Sequence, residues 1–428
     1  MAVEQILNDY ARTAVPADQR KGWISMGCIW AGVGISLGLI VTGGTLGDGL
    51  TFQHALLAAF IGGAVLALVT SLCGIVGAKT GFSTAMVSQF TFGKAAIIII
   101  AVIQAFGSFG WFGVQLGLFG DTAATTWEMV FHQSVSPLLC IVIGGILMIL
   151  SSTFGYKAQD ILSKVAVPLL MILLLASLWK VVSGMSLTEI WNMRGSGEPI
   201  TIGYGVSVAV ASFIVGAVVA PDVSRYAKSP KHTVGAAVMA FAIVVPIMML
   251  IGVITCQATG EWDIVQIMLK LGWGIIALII LLIAQWNSND NNLYCSTLGF
   301  SVVFKKMKKY QLNALSGLIG IILALTGIYQ NFTTFLNYLG VLIPPMGGVI
   351  IADYYFFNSQ YYEEKYIDRL RKVNIPACTA WIIGSIVSYL TTYTPITLTT
   401  APAIDGMIVS FIVHFVWMKV KRQNSLVD

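Results

Sequence analysis

The sequence predicts an all-α polytopic membrane protein with 12 transmembrane helices, organised as a five-plus-five inverted repeat with broken helices 1 and 6 and two C-terminal helices added. Three observations lead there. First, 57% of the 428 residues are hydrophobic and only 10% are charged, where a soluble domain carries about 25% charge; the mean hydropathy is +0.83. Second, apolar runs close to the roughly 20 residues that a helical span needs recur near 23–45, 54–78, 95–120, 135–153, 160–183, 200–220, 233–256, 272–298, 311–329, 332–356, 374–393 and 402–418. Third, with these spans 21 of the 24 Lys and Arg residues fall on one side, and only Lys180, Arg194 and Lys270 on the other. Basic loops stay cytoplasmic, so both termini are expected in the cytoplasm and the chain in the cytoplasmic (inner) membrane. A missed or invented helix would scramble that asymmetry in every later loop.

Residues 1–22 read as a polar cytoplasmic tail without the basic-then-apolar pattern of a cleavable signal. The first span contains Gly32, Gly34, Ser36 and Gly38 at mid-depth. Each glycine costs about 1 kcal/mol relative to alanine in a helix interior, so the helix is expected to unwind there. GGTLGDG (Gly43 to Gly49) has the glycines of a nucleotide loop, but it follows a membrane helix and no strand. GIVGAKTG (Gly74 to Gly81) lacks the Gly before Lys79 that a P-loop requires. With no ATP site supported, transport energy is expected from an ion gradient.

The third span carries Gln104, Ser108, Trp111 and Gln115, spaced by four, three and four. On a helix these form one stripe. Amides facing lipid would leave hydrogen bonds unmet, so the stripe is expected to face a protein interior or a wet cavity. An indole flanked by amides suits a small planar polar ligand; Gln side chains bridging helices around a packed Trp is the alternative.

The sixth span is weakened at Ser212 to Gly216 and ends at Pro221 and Asp222. Interrupted segments at matching positions of two halves point to an inverted repeat with a midplane site. Spans 1–10 would make the transport core over 23–356, with a cytoplasmic connection at 357–373, helices 11 and 12 over 374–418 and a tail at 419–428. The eighth span, the counterpart of the third, has the densest polar cluster, from Asn287 to Asn292. An intramembrane Asp such as Asp290 is a functional candidate, or makes a structural bond to a neighbouring helix. Helical spacing puts Ala284, Ser288 and Asn292 on one face and Asn287, Asn291 and Cys295 beside it. The tenth span, with Pro344 and Pro345, is expected to kink, as a gate or as a fixed bend. The segment from Tyr361 to Lys372 reads as an amphipathic interfacial stretch or a solvated loop.

Composition and spacing also exclude classes. The basic residues are scattered through short loops, so nucleic acid is not an expected partner. Cys28, Cys73, Cys140, Cys256, Cys295 and Cys378 form no CxxC pair, and the four His form no HExxH, so neither disulfides nor a zinc hydrolase are supported. No catalytic set can be assembled, so the chain is not read as an enzyme. No cofactor and no obligate protein partner are implied.

Several strings together resemble one family, the nucleobase:cation symporters, in their purine and cytosine permease branch. They are TGGTLGDGL (Thr42 to Leu50), GAKTGF (Gly77 to Phe82), GWFGVQ (Gly110 to Gln115), SFIVG with the later PD and R (Ser212 to Arg225), NDNNLY (Asn289 to Tyr294) and PPMGGVIIADYY (Pro344 to Tyr355). The resemblance implies import of a planar heterocycle with Na⁺ or H⁺ by alternating access. It makes Trp111 the platform under the ligand, Gln115 a hydrogen-bonding partner and Phe213 the opposite cover. Ser212, Ser108, Gln104, Asn289 and Asn292 complete the expected substrate set. Gly32, Ser36, Ala284, Asn287 and Ser288 form the expected cation set. The chain departs from the cytosine permease pattern in having Ser108 where a glutamine precedes the Trp, Val215 where a serine follows the Phe, and Asn287 and Ser288 for two threonines. Cytosine is the first expectation for the substrate; a purine, a thiamine-precursor pyrimidine or a hydantoin-like compound is the alternative, and a passive channel the rival of another class.

Overall fold

A computed structural model describes residues 13–23, 26, 27, 30, 35–154, 156–304 and 306–421. Apart from two isolated bridges, Lys21 with Ala227 and Thr51 with Arg194, the described residues are helices and their connections. The helices are α1 (Leu37–Gly49), α2 (Phe52–Thr80), α3 (Thr84–Phe92), α4 (Ile97–Phe131), α5 (Pro137–Phe154), α6 (Tyr156–Val182), α7 (Leu187–Trp191) and α8 (Ile202–Val218). They continue as α9 (Pro221–Ser224), α10 (Pro230–Thr259), α11 (Ile264–Lys270), α12 (Gly274–Val303), α13 (Lys309–Leu325), α14 (Phe332–Asp353), α15 (Ile375–Tyr393) and α16 (Pro402–Lys421). Among the described residues, eight helices are long and apolar enough to cross a membrane. In lipid an α-helix satisfies its own backbone, which is why the apolar runs take this form.

The breaks sit where the backbone chemistry requires them. Gly32 lies outside the described residues. At the far edge of the first span's glycine stretch Ser36 is extended (φ −135°, ψ 150°), and α1 starts at Leu37. In the sixth span the expected break at Ser212 to Gly216 is absent: α8 runs unbroken to Val218 and turns at Val219 and Ala220 before α9. Small residues lower helix propensity without breaking a packed helix, whereas Pro221 has no N–H to donate to Ala217.

The glycines of Gly43 to Gly49 serve close packing. A Cβ at Gly43 would lie 2.0 Å from the Met249 carbonyl oxygen and one at Gly47 2.9 Å from Val253 Cα, so α1 meets α10 backbone to backbone, as small residues allow between membrane helices. α14 stays helical through Pro344 and Pro345. The Gly340 carbonyl, which Pro344 cannot serve, accepts from Ser388 Oγ at 3.1 Å. The Leu342 carbonyl accepts from Trp381 Nε1 at 3.0 Å and that of Pro345 from Ser410 Oγ at 2.9 Å. Helices α15 and α16 thus brace the proline segment.

Residues Tyr361 to Lys372 form no interfacial helix. Short 3₁₀ turns at Ser359–Tyr361 and Glu364–Arg369 hold Tyr362 buried, stacked on Phe90 of α3 with centroids 4.8 Å apart. Its hydroxyl donates to Asp353 at 2.9 Å. Asp353 also accepts from Asn358 Nδ2 at 2.9 Å and pairs with His414 Nε2 at 3.0 Å, both carboxylate and imidazole being fully buried. On the same face, residues 14–21 are sewn down. Val15 N donates to Gly81 O, Arg20 Nη1 to Ala78 O, and Lys21 N to Tyr226 O.

Candidate functional site

α4 carries the stripe of Gln104, Ser108, Trp111 and Gln115 as one continuous helix. Trp111 is half-buried and held by edges. Its ring meets Phe332 at 5.7 Å and 67° and Phe335 at 5.6 Å and 84°, both from the first turn of α14. A Cβ at Gly38 would lie 2.7 Å from Trp111 Cζ3, so the start of α1, two residues past the extended Ser36, rests directly on the indole. Phe332 and Phe335 were not among the residues singled out from sequence; the signal was an aromatic pair three apart opening an apolar run, which reads equally as core.

Each of the two amides on this stripe has one end without a partner among the described residues. Nε2 of Gln104 and Oε1 of Gln115 are buried without a hydrogen bond among the described residues, and the residues themselves are 9% and 4% exposed. An unsatisfied buried polar group costs about 1–3 kcal/mol, so packing alone does not account for two of them on one helix face. Ser108, between them, is half-buried. Ser212 is buried, and its Oγ donates to Ala209 O at 2.8 Å, leaving the hydroxyl only acceptor capacity. Phe213 lies back over Gly216 and packs edge-on against Phe241 at 5.0 Å. It makes no ring contact with Trp111 among the described residues.

α12 divides its polar cluster between two faces. Asp290 accepts from Ser151 Oγ at 2.9 Å, and Ser151 accepts in turn from Trp286 Nε1 at 3.0 Å, so this carboxylate is tied to α5. Asn289, fully buried, donates to Met148 Sδ at 3.4 Å and accepts from Asn292 Nδ2 at 3.4 Å. It therefore faces α5 together with Asp290, with Asn292 one turn along. Asn287, Ser288 and Asn291 are half-buried and Ala284 is buried. They belong to a different face, since residues 286, 289, 290 and 293 are turned to α4, α5 and α13. Of the expected cation set, Ser36, Ala284, Asn287 and Ser288 lie among the described residues and Gly32 does not. The described oxygens are a hydroxyl on each of Ser36 and Ser288, the Asn287 amide and backbone carbonyls, a donor set that suits a hard cation such as Na⁺.

A bundle of apolar helices whose first span is interrupted beside a stripe of amides with unpaired ends and an indole is an arrangement that suits a membrane transporter. The comparisons with known proteins agree. The family model described as permease for cytosine/purines, uracil, thiamine, allantoin matches residues 14–413. The cytosine permease of Escherichia coli (strain K12) is 32% identical over 377 residues, covering 88% of each chain. Among solved structures, the inward-facing conformation of Mhp1 superposes with a TM-score of 0.84 at 18% identity, covering 97% of this chain and 94% of that one. The closed conformation of Mhp1, a nucleobase-cation-symport-1 family transporter with bromovinylhydantoin bound, gives 0.80 at 19% identity over 97% and 96%. The chain belongs to the cytosine/purine permease family and is a multi-pass membrane transporter.

Proposed function

We propose that the protein imports a planar nitrogen heterocycle, with cytosine the first candidate, together with Na⁺ or H⁺ by alternating access. The observation that carries this is the pair of buried amides, each with one unpaired end, flanking Trp111 on α4. The ligand lies on Trp111 with Phe213 above it after closure, while Gln115, one turn along, takes the polar edge through its free amide end. Ser108, Ser212 and Asn292 are the remaining edge-reading groups. Asn289, turned toward α5, acts through Asn292. Ser36, Ala284, Asn287 and Ser288, with Gly32, hold the cation where α1 begins, so that cation binding fixes the segment resting on Trp111. Coupling follows from that contact: the cation orders the Ser36 to Gly38 segment at the start of α1, and that segment completes the platform.

In this reading the chain makes 12 spans, with helices 1–5 and 6–10 as inverted repeats, helices 11 and 12 bracing helix 10, and residues 357–373 as a cytoplasmic connection. The face carrying residues 14–21 is cytoplasmic, and the membrane is the cytoplasmic one. A second substrate reading, a hydantoin-like or purine heterocycle, is favoured by Ser108 and Val215 standing at two edge-reading positions where the resemblance leads one to expect Gln and Ser. A thermal-shift panel of purified protein against cytosine, uracil, hypoxanthine, thiamine-type pyrimidines and hydantoins, in Na⁺ or choline, separates the two. Stabilisation by cytosine supports the first, stabilisation only by another ring supports the second, and none by any ring opposes both.

A further inference from the structure

Gly216 is one of the residues expected to break the sixth span, and it does not: α8 passes through it unbroken. Glycine is a poorer helix former than alanine, so its place inside a continuous helix calls for another reason. The room it leaves is taken by Phe213, one turn back. A Cβ at Gly216 would lie 2.3 Å from Phe213 Cε1 and 2.7 Å from Cδ1, so the ring rests against the bare Cα.

The ring's second neighbour comes from α10. Residues Val238–Val244 of that helix form a π-helical stretch, in which Val245 N donates to Ala240 O, five residues back, and Pro246, with no N–H, follows. Such wide turns are frequent at functional sites. Phe241, buried in the middle of the stretch, meets Phe213 edge-on at 5.0 Å and 63° and Trp30 of the first span at 5.3 Å and 62°.

This position turns Phe213 away from α4. A Cβ on Gly107 of α4 would lie 2.6 Å from Val215 Cγ2, so Val215 marks the face of α8 that meets α4. Phe213, two residues off, is about 160° round the helix from it. Open space borders the ring all the same. Phe213, Gly216 and Val219 are half-buried at three-residue spacing, whereas the residues between them are buried. To lie above a ligand on Trp111, the ring has to leave both Phe241 and Gly216.

We propose that Gly216 and Phe241 are positioning residues that park Phe213 clear of the ligand before closure. The bare Cα of Gly216 gives the ring room and the edge of Phe241 holds it, so closing over the substrate breaks an aromatic contact and opening restores it. Because Phe241 also meets Trp30, two residues ahead of Gly32, the parked ring is tied to the span that holds the cation. The device rests on the function proposed above, in which Phe213 is the cover. It lowers affinity and speeds release, because part of the binding free energy goes into lifting the ring from its parked place.

The test uses the full-length protein, in detergent for binding and in liposomes for uptake, with cytosine, uracil, hypoxanthine and hydantoin as probes and the tightest binder carried forward. In Gly216→Ala the new methyl occupies the parked position of the ring, while alanine favours the helix. An edge-on aromatic pair is worth about a two- to tenfold equilibrium factor. G216A is therefore expected to bind about two- to tenfold more tightly than wild type, with slower uptake turnover. Phe241→Leu, which removes the ring edge and keeps an apolar side chain, is expected to move both quantities in the same direction, and it is read in place of G216A if that variant does not fold. In a Phe213→Leu background, G216A is expected to change affinity less than about twofold, because the ring it displaces is gone. Unchanged or weakened binding in G216A, or equal tightening with and without the Phe213 ring, would overturn the parking position while wild-type binding stands. Binding of none of the probes by the wild type would overturn the reading beneath it, and the parking position with it.

Discussion

Trp111 meets Phe332 and Phe335 edge-on and lies against Gly38, so neighbours on two other helices help fix its position. Stacking of a base on an aromatic side chain is worth about 1–3 kcal/mol. Trp111→Ala is therefore expected to weaken heterocycle binding by roughly 5- to 150-fold with the protein still monodisperse, measured by equilibrium dialysis; wild-type affinity would remove the platform role. For Ser288→Ala, a several-fold rise in the Na⁺ or H⁺ concentration needed for half-maximal uptake is the expected outcome, and an unchanged requirement would take Ser288 out of the cation set. Much at this scale could be read in the sequence, because helical spacing alone aligns Gln104, Ser108, Trp111 and Gln115. Two things could not. Which side of α12 Asn289 faces depends on α5, a partner that spacing does not name. The unpaired amide ends are a property of the packed molecule and have no sequence signature.

At the scale of elements, prolines and carboxylates place the breaks and braces. Hydropathy marks apolar helices, since a membrane helix must be apolar along its length, and eight among the described residues are long enough to cross a membrane. It misplaces the interruption of the sixth span, because Ser212 to Gly216 are only weak helix formers whereas Pro221 removes a donor outright. It also leaves the role of the tenth span's prolines open, and Ser388, Trp381 and Ser410 show that segment to be braced from outside. The end of α14 depends on Asp353, which joins His414, Asn358 and Tyr362 in a fully buried group. Asp353→Ala would leave the buried His414 Nε2 and Asn358 Nδ2 unmet and Tyr362 with Thr91 alone, and each buried polar group left without a partner costs about 1–3 kcal/mol. A clear fall in the melting temperature of the purified protein is expected; an unchanged melting temperature would show that the connection after α14 is held by its aromatic contacts alone. Similarly, Gly43→Val is expected to prevent stable folding, because no side chain fits between α1 and the Met249 backbone; recovery of monodisperse, heat-stable protein would contradict that packing.

For the whole molecule, the long apolar helices, the extended Ser36 ahead of α1 and the superposition on Mhp1 describe one fold. A transporter and a channel of this shape differ in one respect, concentration against a gradient. In proteoliposomes with an imposed Na⁺ or H⁺ gradient, accumulation above the external concentration is expected, and collapse of the gradient should abolish it; flux that only equilibrates would identify a channel. What the fold does not carry is the substrate, because the edge-reading positions vary without altering how the helices pack. The central claim is that a planar heterocycle binds on Trp111, and the most direct measurement is the thermal shift of wild type and W111A with the ring panel in Na⁺ or choline. The account predicts stabilisation of the wild type by at least one ring and loss of that stabilisation in W111A. No stabilisation by any ring, or equal stabilisation of both proteins, would contradict it.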